Sequence, residues 1–370
     1  MKMSPARRAL LATGLVRLAC SLFAWRFGAL VSPNNYIAAK NDHQLAVNIL
    51  GPGDGWRYLL YGIWDRFDTL WYVHIATHGY DRPDATVFYP LYPFLIHCLT
   101  WLTREPTFAA LTISTVACFF LFWGIQDLAL LDWPAHAVPA LAIFAAWPMS
   151  FILLAAYPES LLIALVVWSI YFARTDRWWP AGILACVAGL TKASGVMASI
   201  PLLIILLHER KWNRLPAVAL APLGFLSYTL WLKVYGFPSA SVVYAKYWFT
   251  QVSLPWNTLA DAFSAVFREG DLLLAINLSA LLYCIAVLLL KRRGRLDYLL
   301  FSTACLILFL TKHTMPVLQS TARYVLLMFP VFLYSAAWIK NRTTLLIVLM
   351  LLCPLYLAML RTFLWWGLVV

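Results

Sequence analysis

Long apolar stretches alternate with short polar clusters along nearly the whole chain. From Ala9 onward the apolar runs are roughly 15 to 25 residues long, enough to cross hydrocarbon as helices. They lack period-2 alternation and exceed the length of barrel strands. In lipid, backbone N–H and C=O groups must be satisfied within the segment or in a closed barrel, so these runs predict helices. Segments are expected at about 9–31, 87–103, 107–131, 135–153, 159–173, 215–235, 271–290, 296–312 and 322–339. Two short helices are expected between 177 and 208, broken near Ser194-Gly195, and a last helix follows Arg342.

The polar clusters orient these elements. Lys2/Arg7/Arg8, Arg174/Arg177, Arg210/Lys211/Arg214, Lys291/Arg292/Arg293/Arg295 and Lys340/Arg342 carry most of the basic charge. If all face the cytoplasm, an even number of spans separates any two neighbours. One segment before Arg174 is then in excess. The short run 87–103, with Pro90, Pro93 and His97, is the one expected to lie in or dip into the outer interface. The resulting fold class is all-α integral membrane, about 11 spans in a single domain over 1–370, N-terminus inside and C-terminus outside. Residues 32–106 become an extracytoplasmic first loop with interfacial helices, and 236–270 a second loop on the same side.

Composition agrees. Hydrophobic residues make up 63% of the chain and charged residues 12%, against roughly 25% charged in a soluble domain. The net charge of +12 sits in the clusters between spans, which is the positive-inside pattern rather than a nucleic-acid footprint. The seven cysteines all fall in apolar segments without a CxxC pair, so neither a zinc site nor a disulfide framework is expected. The basic N-terminus precedes a long apolar helix without a clear cleavage site, and is expected to stay as a signal anchor.

This topology puts four polar features on one outer side: the segment 64–84, Tyr157-Pro158-Glu159-Ser160, Thr191-Lys192 and Ser320-Thr321-Ala322-Arg323-Tyr324. Ionisable groups near membrane depth are costly and often functional. Read as a helix ending at Gly79, the run from Trp64 puts Asp65, Asp68 and Tyr72 on adjoining turns of one face. A carboxylate there suits a general base acting on a sugar hydroxyl, or else pairs with Arg66 or caps a turn. His74 and His78 have metal-chelating i,i+4 spacing but no convincing third ligand. Glu159 opens a helix, where the macrodipole favours it, whereas Arg323 sits at the dipole's unfavourable end. That mismatch points to an anionic partner, either a phosphate held by Arg323 and Lys192 or a carboxylate such as Glu159. The aromatic and lysine-bearing run Tyr244–Phe249 fits an interfacial helix or the wall of a lipid groove. The sequons at Asn277 and Asn341 fall in a span and on the cytoplasmic side.

Four ordered stretches resemble the PIG-V-type (GPI mannosyltransferase 2-like) family of GT-C membrane glycosyltransferases and its bacterial relatives. Phe67-Asp68-Thr69-Leu70-Trp71-Tyr72, with Ile75-Ala76 and Gly79-Tyr80, is similar to its W-D-x-x-W-Y…I-A…G-Y pattern. Phe88-Tyr89-Pro90-Leu91-Tyr92-Pro93, Tyr157-Pro158-Glu159-Ser160-Leu161, and Ser320-Thr321-Ala322-Arg323-Tyr324 with Phe329-Pro330 match its later motifs. Phe67 stands where the family has Trp, and Trp64-Asp65 offers a second register, so Asp65 rivals Asp68. Pro158 replaces the usual Thr, and Lys192 stands where relatives often carry Arg.

The resemblance implies a GT-C-type fold and inverting transfer of a sugar, mannose first, from a polyprenyl-phosphate donor to a lipid or glycan acceptor. It implies Asp68 or Asp65 as base and Glu159 orienting the acceptor or the catalytic loop. Arg323 and Lys192 would sit at the phosphate, and Trp71, Tyr72, Tyr157, Tyr324 and His78 would contact substrate. The leaving phosphate is already a stabilised anion, so no cofactor is required; a divalent cation is used by some of the class. The site would face outward from a bacterial plasma membrane. The alternatives are a GT-C enzyme for another sugar and a lipid or glycolipid transporter. A transporter wants a polar path through mid-span, where only Arg17 and Arg26 of the first helix stand out.

Overall fold

The computed structural model describes residues 3–28, 45, 49–291 and 294–367. The sequence expectations for Lys2, for most of 29–48 and for Arg292/Arg293 lie outside the described residues. In chain order, short helical turns such as Gly55–Leu60 and Leu215–Ala219 aside, the first helices are α1 Pro5–Gly28, α2 Asp68–His78, α3 Leu91–Thr103, α4 Pro106–Asp132 and α5 Ala137–Ala146. There follow α6 Glu159–Arg174, α7 Trp178–Thr191, α8 Ser199–Glu209, α9 Leu223–Val234 and α10 Ala240–Tyr247. Strand β1 Thr250–Val252 leads to α11 Pro255–Glu269, α12 Leu272–Leu290 and α13 Leu296–Thr311. Strand β2 Lys312–Thr314, α14 Thr321–Tyr324, α15 Pro330–Ala336 and α16 Arg342–Leu364 complete it.

Among the described residues, five helical stretches are long and apolar enough to cross a membrane: α1, α4, Trp212–Val234, α12 and α16. Five shorter apolar helices accompany them. The chain is a helical integral membrane protein, and among the described residues its strands form one two-stranded ribbon. There β1 pairs antiparallel with β2, Thr250 opposite Thr314 and Val252 opposite Lys312.

Some expected spans are shorter or broken, for local reasons. The helix expected over 135–153 stops at Ala146 and gives way to a 3₁₀ turn, Ser150–Leu153. The helix expected over 322–339 is interrupted around Phe329-Pro330, since Pro330 cannot donate the backbone hydrogen bond that would continue it. The break near Ser194-Gly195 appears as a 3₁₀ segment, Ala193–Ala198. Gly195 is needed there: a Cβ would stand 2.0 Å from the Ala188 carbonyl oxygen. The helix expected from Trp64 to Gly79 begins only at Asp68, so Asp65 does not share a face with Asp68 and Tyr72.

α6 runs the length of the packed core, against α4 on one side and α7 on the other. Its two ends carry different charges. At the far end Arg174 holds Asp132 through two bonds of 2.5 and 2.7 Å, and the Tyr298 hydroxyl donates to Asp132 at 3.0 Å. The near end is Glu159. Arg17 of α1 also finds a place: it donates to the Leu154 carbonyl at 2.6 Å and lies 5.4 Å over the Trp64 ring.

α7 and α9 cross closely enough that a Cβ on Gly224 would stand 1.8 Å from the Cys186 carbonyl oxygen. Backbone cannot yield as a side chain would, so Gly224→Ala should lower the thermal unfolding midpoint in detergent, by overpacking worth about 1–3 kcal/mol. Gly14 of α1 has open space around it. There Gly14→Ala should leave the midpoint unchanged or raise it, because alanine favours helix.

Candidate functional site

The residues before α2 form a constrained turn. Phe67 has φ of 50°, unfavourable for a side chain, and the strain is offset by packing. Its ring lies 5.8 Å from Phe363 and 5.7 Å from Trp366. The neighbouring Arg66 is fully buried, donates to the Leu364 carbonyl at 3.2 Å and stacks 4.3 Å over Trp366. The C-terminal end of α16 thus anchors the turn. On its other side the Tyr157 hydroxyl donates to the Arg66 carbonyl and accepts from the Asp68 N–H, both at 3.3 Å. Asp68 is thereby placed as the first residue of α2.

Asp68 meets a cluster of charges. Its Oδ2 accepts from Arg323 Nη1 at 2.7 Å. Glu159, first in α6 and buried, accepts from Lys192 Nζ at 2.8 Å, and its Oε1 lies 3.5 Å from Arg323 Nε. Among the described residues Glu159 Oε2 and Arg323 Nε have no hydrogen-bond partner. The Arg323 guanidinium lies 5.5 Å from the Tyr157 ring centre and 5.0 Å from that of Tyr324. Lys312, the first residue of β2, donates to the Tyr324 hydroxyl at 3.2 Å, and Arg323 Nη2 does so at 3.3 Å. Lys192 sits 5.1 Å over the same ring.

Two cavities meet at this cluster. One, of about 90 Å³, is the more polar of the two and is lined by Asp68, Lys192, Lys312 and Arg323 with Tyr72, Phe88 and Trp248. The other, of about 450 Å³, is largely apolar and runs past Leu308, Phe309, Ala245 and Val252. Lys192, Lys312, Tyr244, Thr250 and Tyr324 border both. A third space of about 20 Å³ adjoins Glu159, Arg323 and Ser194, large enough for one water molecule.

The structure brings together Asp68, Glu159, Lys192, Arg323, Tyr72, Tyr157 and Tyr324 of the residues singled out in the sequence. Arg323 and Lys192 meet carboxylates, the second of the two partners their positions suggested. Trp71 stands one layer back, stacked on Phe88 at 5.5 Å with Arg82 over it. His78 does not reach the cavities: it bonds the Thr77 hydroxyl and stacks on His74 at 4.7 Å. His74 pairs with Asp81 at 2.8 Å, which holds the Asp81 carboxyl below its usual range. Among the described residues no three ligand-type side chains gather as a metal site.

Lys312, Thr250 and Gln319 line the cavities without being singled out in the sequence, whereas Tyr244 and Trp248 belong to the run read there as an interfacial helix or groove wall. Lys312 closes an apolar run as Lys192 does, and that parallel is the signal that marks it. Asp65 lies elsewhere, buried and accepting from the Thr107 hydroxyl at 2.5 Å. It lines none of the three cavities described above.

Burial pushes the Asp65 carboxyl up to about 7, from an ordinary 3.8. The folded state therefore binds this proton more tightly than the unfolded chain. Asp65 contributes most stability below its unfolded value, and that contribution is lost as pH rises through about 7. Asp65→Asn keeps an acceptor for Thr107 and removes the charge. Its unfolding midpoint should match wild type near pH 4 and exceed it at pH 8; an equal midpoint at pH 8 would refute the assignment.

No family profile matches the chain, and no curated protein matches it. Among solved structures the chain is similar to the crystal structure of ArnT from Cupriavidus metallidurans bound to undecaprenyl phosphate. The two are 12% identical, with a TM-score of 0.41, and the match covers 95% of this chain and 77% of that one.

Proposed function

We propose that the protein is a GT-C membrane glycosyltransferase that moves a sugar from a polyprenyl-phosphate carrier to a lipid-linked or glycan acceptor. The observation that carries this reading is the charge cluster at the junction of a polar cavity and an apolar groove. Three cations, Lys192, Lys312 and Arg323, gather with two carboxylates, Asp68 and Glu159, and with the Tyr324 hydroxyl that Lys312 contacts; with that hydroxyl neutral the formal excess is one positive charge. A polyprenyl-phosphate sugar is a phosphodiester with one negative charge and a long apolar tail. The groove suits the tail and the cluster suits the phosphate.

The chemistry keeps that balance. The acceptor hydroxyl gives its proton to Asp68 as its oxygen forms a bond to the anomeric carbon. The bond from that carbon to the phosphate oxygen breaks, and its electron pair stays on the phosphate. The phosphate gains one negative charge while Asp68 loses one, so the total charge in the site is unchanged. The sugar passes through an oxocarbenium-like state. Lys192, Lys312 and Arg323 stabilise the leaving phosphate. Glu159 holds Lys192 and Arg323 in place, and Tyr72 and Trp248 border the space left for the sugars. Mannose as the sugar, and an outward-facing site in a bacterial plasma membrane, rest on the sequence motifs and the basic clusters.

Transfer in nanodiscs tests the reading, with polyprenyl-phosphate mannose as donor and a host lipid extract as acceptor. Asp68→Asn should lower turnover by about 10²–10⁴-fold, the usual contribution of a positioned base. Near-wild-type turnover would remove Asp68 from that role. Lys312→Ala should weaken binding of polyprenyl phosphate by roughly 10- to 100-fold, as expected for a lost charged hydrogen bond. A nucleotide-diphosphate mannose, with its higher charge and no tail, should not serve; efficient transfer from it would sink the proposal.

A further inference from the structure

α11 joins the ribbon to the long apolar helix α12, and its circumference falls into three sectors. Thr258, Ala262 and Ala265 are buried, on the side packed against α12 and α13. Asn257, Asp261, Ser264 and Arg268 make an exposed polar sector. Trp256, Phe263 and Phe267 recur at helical spacing and are also exposed, Phe267 at 87%.

A helix between a protein core and water needs only two sectors, apolar inward and polar outward. A third sector of outward aromatics needs an apolar neighbour. Two observations identify that neighbour as lipid. Leu272, five residues after Phe267, is also exposed and opens α12, a helix long and apolar enough to cross a membrane. The polar sector lies on the same outer side of α11, as it does in helices that lie at the border of water and hydrocarbon. Trp and Phe are residue types that anchor such a border.

The helix is also tied to the site. Strand alternation in β2 puts Lys312 and Thr314 on the polar cavity, and the residue between them, His313, reaches Asp261 of α11 at 3.1 Å. The other strand, β1, places Thr250 on both cavities and runs through Leu254 into α11.

We propose that α11 is a membrane-surface helix whose Trp256, Phe263 and Phe267 seat in the lipid interface, and that this seating holds the ribbon walling the candidate site. The lipid contact is tested in nanodiscs of defined phosphatidylglycerol and phosphatidylcholine, with a benzophenone amino acid replacing Phe267 or Ser264. Irradiation should give lipid adducts at 267 and several-fold fewer at 264. Equal labelling at both positions, or a cross-link from 267 to a second protein chain, would overturn the proposal. The link to the ribbon is tested by amide hydrogen exchange. Replacing Phe263 and Phe267 together by serine should speed exchange in 250–252 and 312–314 by about tenfold, leaving the core of α6 unchanged. Unchanged ribbon exchange would refute the coupling. Neither measurement needs turnover, so both remain decisive whatever the donor proves to be.

Discussion

Two helix N-termini and two helix C-termini converge on the pocket, and each carries the charge its macrodipole favours. Asp68 and Glu159 are the first residues of α2 and α6, where unsatisfied N–H groups create positive potential. Lys192 and Lys312 directly follow the last residues of α7 and α13, where free carbonyls create negative potential. Each placement is worth about 0.3–1 kcal/mol, and up to about 2 where partly buried. Their larger effect is organisational. Side chains of both signs are fixed at one point before any ligand arrives, in a region where isolated charges would be expelled.

Holding four helix ends together requires the rest of the fold. α6 connects the pocket to the Arg174–Asp132–Tyr298 group at its far end, so Glu159 sits on a helix fixed at both termini. The close crossing of α7 and α9 and the fold-back at Gly195 bring Lys192 to Glu159. The turn that presents Asp68 leans on Phe363, Leu364 and Trp366, far along the chain. Its strained Phe67 dihedral persists because tightly packed groups surround it.

The membrane class was legible because hydrocarbon leaves the backbone so few solutions. Asp68, Glu159, Lys192 and Arg323 stood out because a charge among apolar residues is conspicuous. Lys312 closes an apolar run as Lys192 does, but it lies outside the ordered motifs, and the ribbon pairing is what brings it to the pocket. Asp65 shows the opposite failure. Helical spacing aligns it with Asp68, but the helix starts three residues later, and the 3₁₀ turn before it sends Asp65 to Thr107. Arg17 also lacked an account from sequence, because its partners, Leu154 and Trp64, lie on elements distant in the chain. Local patterns identify which residues are unusual; long-range packing decides what they face.

Arg323 is the exception to the dipole rule, and that exception bears on how the site works. It lies in a four-residue helix, too short to supply much field, and is almost wholly buried. Its charge is balanced chiefly by Asp68 and Glu159. Lys192 and Lys312 keep the support of a helix end whatever else is bound; Arg323 does not. Under the proposed function, a donor phosphate in this cavity would compete with Asp68 for the Arg323 guanidinium, which lines the same space. The carboxylate that this competition would release is the one the proposed reaction needs as a base. In this reading the donor uncovers the base, and the protein without donor keeps it masked.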